Sequence, residues 1–181
     1  MVQMMATATL ASLLLLAALT DLRTRRIPNR LILTGLIASL ALQMLAGGMA
    51  VMIAWSLGLL VGGSMFMLLY AIRAMGAGDV KLMAMAGAFL GPASAFGALL
   101  TTLVAGGMLA LLVTLLNGSL RRTLSNVRMM AINTFFKTIQ GIAPQIDALP
   151  NSAGSLPYGV AIAVGTLIHL VLKHNGHALF S

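Results

Sequence analysis

The chain contains no cysteine, and only three of its 181 residues are acidic. The absence of cysteine excludes disulfides, thiolate nucleophiles and cysteine-ligated zinc sites. Charged residues of both signs make up 8% of the sequence, whereas a soluble domain carries about a quarter. This deficit excludes an ordinary water-soluble domain. Together with a mean hydropathy of +1.02, it places the chain in a lipid bilayer.

The few charges are mostly basic and give a net charge of +8. In a soluble protein such an excess would favour nucleic-acid binding, but cationic loops also orient membrane helices. We therefore expect contact with membrane lipid and none with nucleic acid. The chain has no room for a separate soluble domain of ordinary size, so residues 1–181 are predicted to form a single membrane-embedded domain.

Six apolar runs predict an all-α, polytopic membrane protein with about six transmembrane helices. The pairs Gly47-Gly48 and Gly91-Pro92 are typical of tight turns. The fourth run has only 11 residues, too few to cross a hydrocarbon core of about 30 Å. Its helix either begins earlier, among the preceding glycines, or starts in a recess lined by protein. The runs are residues 4–20, 31–45, 49–72, 80–90, 93–116 and 156–172.

The basic residues predict the orientation of these helices. Arginines follow the first run and do not precede it, which indicates a retained helix and not a cleaved signal peptide. With both termini outside, ten of the eleven basic residues lie in inside loops, as the positive-inside rule requires. These ten are Arg23, Arg25, Arg26, Arg30, Arg73, Lys81, Arg121, Arg122, Arg128 and Lys137, and Lys173 alone lies outside.

Residues 117–155 are too polar to span the membrane and are predicted to form an inner-surface loop. Phe135, Phe136, Ile139 and Ile142 recur at helical spacing within it, which indicates a helix lying on the inner surface. A disordered basic loop is the alternative.

Two of the three acidic residues follow predicted helices. Asp21 follows the first run in the string TDLRTRRIPN, and Asp79 follows the third in GAGDVK. Because both helices run inward, the topology places the two carboxylates at one depth, just inside the inner surface. Two carboxylates in a partly dry site tend to share a proton, so that one activates water while the other polarises a carbonyl. The aspartate pair therefore predicts amide hydrolysis that needs no metal and no cofactor.

Each acidic residue also has a purely structural interpretation. Asp21 could pair with Arg23 or Arg25 at the interface, and Asp79 could cap a helix. Asp147 stands between two prolines and is interpreted as a solvated loop residue.

The neighbours of Asp79 are predicted to shape the site or to bind substrate. Gly76 and Gly78 permit positive φ and the close approach of a substrate backbone. Lys81 lies two residues beyond Asp79 and does not share its helix face. Lys81 is therefore expected to hold a loop carbonyl or a lipid phosphate. Pro28 ends the first inside loop and can begin the second helix.

The histidines offer no convincing metal site. His169 lies within an apolar run and is interpreted as a packing residue. His174 and His177 have the spacing of metal ligands, but no carboxylate or cysteine is near them in the sequence.

Three segments resemble a known family. Asp21 with the following Arg23 and Ile27-Pro28-Asn29, and the string from Gly76 to Lys81, GAGDVK, are similar to the two signature motifs of type IV prepilin peptidases. These enzymes are intramembrane aspartic proteases of the GxGD class. Residues 156–162, LPYGVAI, resemble the motif that opens the last helix of the family.

The resemblance implies that Asp21 and Asp79 are the catalytic pair. It also implies that prepilin or pseudopilin precursors are the substrates, and that their short basic leader is cut after a glycine on the cytoplasmic side. The expected location is the bacterial or archaeal cytoplasmic membrane.

One difference from the larger members of the family concerns a second activity. Those members have an additional cytoplasmic segment with two cysteine pairs, and they also methylate the new N-terminus. This chain has neither, so it resembles the short, peptidase-only form of Flp-type pili in tight-adherence systems, and methyltransferase activity is not expected. The alternative functions are an ion or proton pathway through the aspartates and a non-catalytic membrane subunit of a secretion assembly.

Overall fold

The computed structural model describes residues 1–71, 75–118 and 157–176, together with the single positions 121, 125, 128, 129 and 132. This part of the chain folds into helices and contains no strand, which confirms the all-α prediction. The predicted helix on the inner surface lies outside the described residues. The helices are α1 (Val2–Thr24), α2 (Asn29–Ala46), α3 (Met49–Ala71), α4 (Ala77–Leu90), α5 (Pro92–Leu116) and α6 (Tyr158–His174).

Four of these helices, α1, α2, α3 and α5, are apolar enough and, at 18 to 25 residues, long enough to cross a membrane. α6 has 17 residues and α4 has 14. At about 1.5 Å per residue α4 is about 21 Å long, short of a core of about 30 Å. The chain is a multi-pass, all-α membrane protein in which α4 is the shortest of the described helices.

The end of α1, near Asp21, and the start of α4, near Asp79, both differ from the ends of the predicted apolar runs. α4 begins at Ala77, so of the two possibilities for this short helix the earlier start, among the glycines, is correct. α1 continues to Thr24 and ends at Arg25, whose left-handed φ of 52° terminates it. Asp21 therefore lies in the last turn of α1 and does not follow the helix as predicted. The carboxyl group of Asp21 is accommodated within α1 because it accepts a hydrogen bond from the backbone of Gly159 in α6.

The two predicted tight turns are confirmed. Gly47 and Gly48 connect α2 to α3 with φ values of 81° and 90°, a backbone region that glycine enters without steric cost. Gly91, at 76°, separates α4 from α5, and Pro92 occupies the first position of α5, where proline is favoured.

α4 forms the centre of the described bundle. It contacts α1, α2, α3, α5 and α6, and Leu82, Met83, Met85, Ala86 and Ala88 are fully buried. Protein surrounds α4, so it does not need the length of a lipid-exposed helix, and the non-helical backbone that precedes it is tolerated.

Close backbone contact joins α4 to α3 at three glycines, Gly58, Gly62 and Gly87, which we call the glycine contact. A Cβ atom on Gly87 would collide with the carbonyl oxygen of Gly58 and lie 2.9 Å from its carbonyl carbon. A Cβ atom on Gly62 would lie 2.5 Å from the carbonyl oxygen of Met83. Small residues of this kind let membrane helices approach closely, and here they seat α4 against α3.

Candidate active site

Three helix ends meet at one end of the bundle: the carboxyl end of α1 and the amino ends of α4 and α6. Asp21 of α1 contacts Gly159 of α6, and Ile27, which follows α1, packs beside Gly78 of α4. These contacts bring residues that are far apart in the sequence into one site.

Asp21 is buried, with 6% of its surface exposed. The backbone N–H of Gly159 donates a hydrogen bond to Oδ2 of Asp21 at 2.8 Å, a buried contact across 138 positions of sequence. A Cβ atom on Gly159 would lie 2.9 Å from the same oxygen and 3.1 Å from Cγ. The Asp21 carboxyl group is therefore held by a backbone donor and closely packed against a residue without a side chain.

Asp79 is the third residue of α4 and is only partly buried. Its Oδ2 atom accepts a hydrogen bond from the N–H of Gly76 at 3.3 Å. Gly76 is the N-cap of α4, so Asp79 supplies the reciprocal bond of a capping box. Asp79 thus contributes to the helix start from the third position and not as the N-cap itself.

The two carboxyl groups interact electrostatically. Asp79 lies outside the four helices that are long enough to span the membrane. Desolvation by burial and, second, repulsion from Asp21 raise the pKa of Asp79 to about 6, although the hydrogen bond from Gly76 acts in the opposite direction. A carboxyl group with this pKa holds a proton over a range in which an ordinary aspartate has lost it, as a proton-sharing pair requires.

The loop between α1 and α2 is attached to the start of α4 at two points. The site of a Cβ atom on Gly78 is 3.5 Å from Cβ of Ile27, an ordinary packing distance. The Lys81 ammonium group donates to Oδ1 of Asn29 at 3.1 Å. Lys81 therefore holds the side-chain amide oxygen of the first residue of α2, and not the loop carbonyl or lipid phosphate expected from the sequence.

Neither glycine beside Asp79 uses the positive φ that glycine permits, and Gly76 has a φ of −81°. Gly78 is the second residue of α4 and is not among the positive-φ glycines of the described chain. The physical reason is the early start of α4, which gives Gly78 a helical backbone. At Gly78 the structure shows instead an ordinary van der Waals contact with Ile27.

Sequence reasoning missed Gly159 as a site residue, because the segment LPYGVAI predicts a helix start but no role for its glycine. Tyr158, the residue before it, packs inside the bundle. Tyr158 makes an edge-to-face contact with Phe66 at 6.2 Å between ring centroids, and its hydroxyl lies 2.8 Å from the site of a Cβ atom on Gly106. A glycine that follows a proline and a tyrosine at a helix start was the only available signal.

The histidines do not join this site. His169 of α6 is fully buried, and its ring packs against Gly97 of α5. His174 is exposed at the far end of α6. Asp147 and His177 lie outside the described residues. Within the part of the chain that the structure covers, no group of three His, Asp or Glu residues is placed to hold a metal ion.

The arrangement combines the buried carboxyl group of Asp21 with the partly buried carboxyl group of Asp79, whose pKa is raised to about 6. Such a pair can remove a proton from water with one member and donate a proton to a carbonyl oxygen with the other. Each aspartate is oriented by a backbone donor and does not depend on a flexible side chain.

Comparison with known proteins bears on this chemistry. No curated protein and no solved structure matches the chain. A family model, that of the type IV leader peptidase family, matches residues 8–111 and includes both aspartates. Because this match covers more than half of the sequence, the chain belongs to the type IV leader peptidase family, a family of peptidases that act on prepilin-type substrates.

Proposed function

We propose that this protein is an intramembrane aspartic endopeptidase that removes the basic leader of Flp-type prepilins with Asp21, Asp79 and one water molecule. The observation that carries the proposal is the meeting of Asp21 and Asp79 at one end of the bundle, where each carboxyl group accepts a glycine N–H. Membership in a leader peptidase family supports it independently.

The proposed reaction needs one proton on the aspartate pair. The ionised carboxylate removes a proton from water, whose oxygen attacks the scissile carbonyl carbon. The protonated carboxyl group gives its proton to the carbonyl oxygen, and a tetrahedral diol forms. The first carboxyl group then protonates the leaving nitrogen while the second removes a proton from the diol. The C–N bond breaks, and the aspartate pair returns to its starting state.

The proposed place of cleavage is the cytoplasmic face of the cytoplasmic membrane. The arginines that follow α1 lie at the same end of the chain's helices as the aspartate pair, and the positive-inside rule assigns that end to the cytoplasm. Gly76, Gly78 and Lys81 line the segment beside Asp79, where the leader of the substrate would pass. The lack of cysteine supports a peptidase without methyltransferase activity.

Cleavage of a purified precursor tests the proposal. Detergent-solubilised protein is mixed with a Flp-type pilin precursor carrying a basic leader, and the shortened product is followed on a gel. Asp21→Asn and Asp79→Asn should each abolish cleavage, because asparagine has nearly the same shape but cannot accept the proton. Asp147→Asn should cleave like the unmodified protein. Full cleavage by either of the first two variants would refute the proposed pair.

A second candidate function, proton or ion conduction, is favoured by polar groups buried between α5 and α6. Both ring nitrogens of His169 and the hydroxyls of Thr102 and Thr166 are buried and have no hydrogen-bond partner among the described residues. Polar side chains within a membrane often mark ion pathways. Proton flux into liposomes separates the two functions: conduction requires a flux that His169→Leu reduces, whereas a peptidase gives cleavage without flux.

A further inference from the structure

Gly159 contacts one member of the aspartate pair, Asp21, through its backbone. It is the second residue of α6, and the first four N–H groups of a helix have no partner within the helix. The N–H of Gly159 is instead used by Oδ2 of Asp21, at 2.8 Å and in a buried setting. The amino end of a helix also carries a partial positive charge, which favours a carboxylate at this position.

The absence of a side chain on Gly159 is as important as its N–H. A Cβ atom there would lie 2.9 Å from Oδ2, 3.1 Å from Cγ and 3.1 Å from Cβ of Asp21. Ordinary contacts begin at 3.4 Å. An added methyl group would therefore push against the whole carboxyl group of Asp21, and the carboxyl group would have to move.

The two aspartates are held in the same way. Oδ2 of Asp21 accepts the N–H of Gly159, and Oδ2 of Asp79 accepts the N–H of Gly76. A backbone N–H can only donate, so each Oδ2 serves as an acceptor. In the proposed reaction, the other oxygen of each carboxyl group is then the better placed one to carry the shared proton.

We propose that Gly159 is a positioning residue of the aspartate pair: its N–H and its missing side chain turn the remaining oxygen of Asp21 toward Asp79 and the attacking water. The kinetic part of this inference rests on the proposed function, and the structural part does not. Gly159 lies outside residues 8–111, so the family match does not assign it any role.

Gly159→Ala is the direct kinetic test. We expect kcat for precursor cleavage to fall between about 10-fold and 100-fold, since a misplacement of about 1 Å can cost that much. KM should change less than about twofold, because the added methyl group meets the side chain of Asp21. Gly107→Ala is the matched control: it adds the same methyl group to a helix where nothing lies within 4 Å, and it should leave both constants unchanged.

Gly165→Ala separates positioning from packing. Its added methyl group would press on the backbone of Thr102 in the interface between α5 and α6, away from Asp21. The substitution should therefore reduce thermal stability but keep kcat per folded molecule. The proposal fails if Gly159→Ala raises KM and keeps kcat. It also fails if Gly159→Ala, like Gly165→Ala, lowers thermal stability and keeps kcat per folded molecule, because Gly159 is then only a packing residue.

Hydrogen exchange gives a reading that does not depend on activity. In ¹⁵N-glycine-labelled protein, the N–H of Gly159 should exchange slowly, because Asp21 supplies the acceptor that its own helix lacks. Asp21→Ala should accelerate this exchange at least 10-fold, whereas Asp79→Ala should not. Unchanged exchange in Asp21→Ala overturns the proposal whatever the cleavage data show. If exchange responds as expected and the unmodified protein cleaves no precursor, the positioning of Asp21 stands and the proposed function falls.

Discussion

The glycine contact between α3 and α4 predicts a large effect from a single methyl group on Gly87. In Gly87→Ala the new Cβ atom would collide with the carbonyl oxygen of Gly58 and lie 2.9 Å from its carbon, whereas ordinary contacts begin at 3.4 Å. Both obstacles are backbone atoms, which cannot rotate away as a side chain can. The two helices must therefore separate by about half an ångström or more.

The size of the effect follows from this separation. Overpacking of a tight core typically costs about 1–3 kcal/mol. At about 2–4 °C per kcal/mol for a chain of this size, the melting temperature should fall by about 2–12 °C. α4 also carries Asp79, so a shift of the helix should displace that carboxyl group and reduce kcat roughly tenfold.

Thermal unfolding in detergent and precursor cleavage measure the two consequences. Gly107→Ala, whose added methyl group meets open space, serves as the control. Gly58→Ala should lower the melting temperature about as much as Gly87→Ala does. The double variant should lower it by less than the sum of the two single effects, because one separation of the helices accommodates both methyl groups. Equal melting temperatures for Gly87→Ala and Gly107→Ala would refute the close contact between α3 and α4.

Two further predictions concern pH and topology. Cleavage should decline as the pH rises above about 6, because Asp79 then loses the proton that its raised pKa retains at lower pH. Constant activity from pH 5 to 9 would contradict a shared proton. In the full chain, cysteines introduced at Thr24 and Asn175 should react with impermeant reagents from opposite sides of the membrane, as the arginine bias requires, and labelling of both from one side would overturn the orientation.

Much of the fold could be predicted because a bilayer restricts what the sequence can do. A chain in lipid must satisfy its backbone within helices, so apolar runs bounded by glycine pairs mark the helices closely. The aspartate pair could be predicted for a related reason. Acidic residues are so scarce in this chain that two of them beside predicted helices of the same direction call for an explanation, and the topology alone places them at one end.

The packing order of the helices could not be predicted from apolar runs. Every run is apolar on all sides, so the sequence does not reveal which helix the others surround. Only the shortness of the fourth run suggested protein around it, and the structure confirms this through the burial of Leu82, Met83 and Met85.

The backbone N–H groups that hold the aspartates are a second feature that could not be predicted from the sequence. The hydrogen bond from Gly159 to Asp21 comes from an N–H group that every residue except proline possesses, so the donor leaves no mark in the sequence. The missing side chain that admits Asp21 is visible only as one glycine among 19. The backbone of Gly78 could not be predicted for a similar reason. The sequence shows which φ values a glycine permits, but the start of α4 at Ala77 gives Gly78 a helical backbone.

The short central helix explains how one bundle can hold two carboxyl groups beside a membrane. A spanning α4 would begin at the membrane surface, where water would hydrate Asp79 fully. α4 has 14 residues and contacts the five other described helices, so Asp79 is partly withdrawn from water and its pKa rises. The same enclosure lets the glycine-containing turn before α4 remain non-helical and lets the amino end of α6 reach Asp21. In Gly76→Ala the added Cβ atom would lie 3.2 Å from Oδ2 of Asp79 and should disturb the Gly76 hydrogen bond, which holds the pKa of Asp79 down. Asp79 should then keep its proton to higher pH, and the alkaline limit of cleavage should move upward, whereas Gly107→Ala should leave that limit in place.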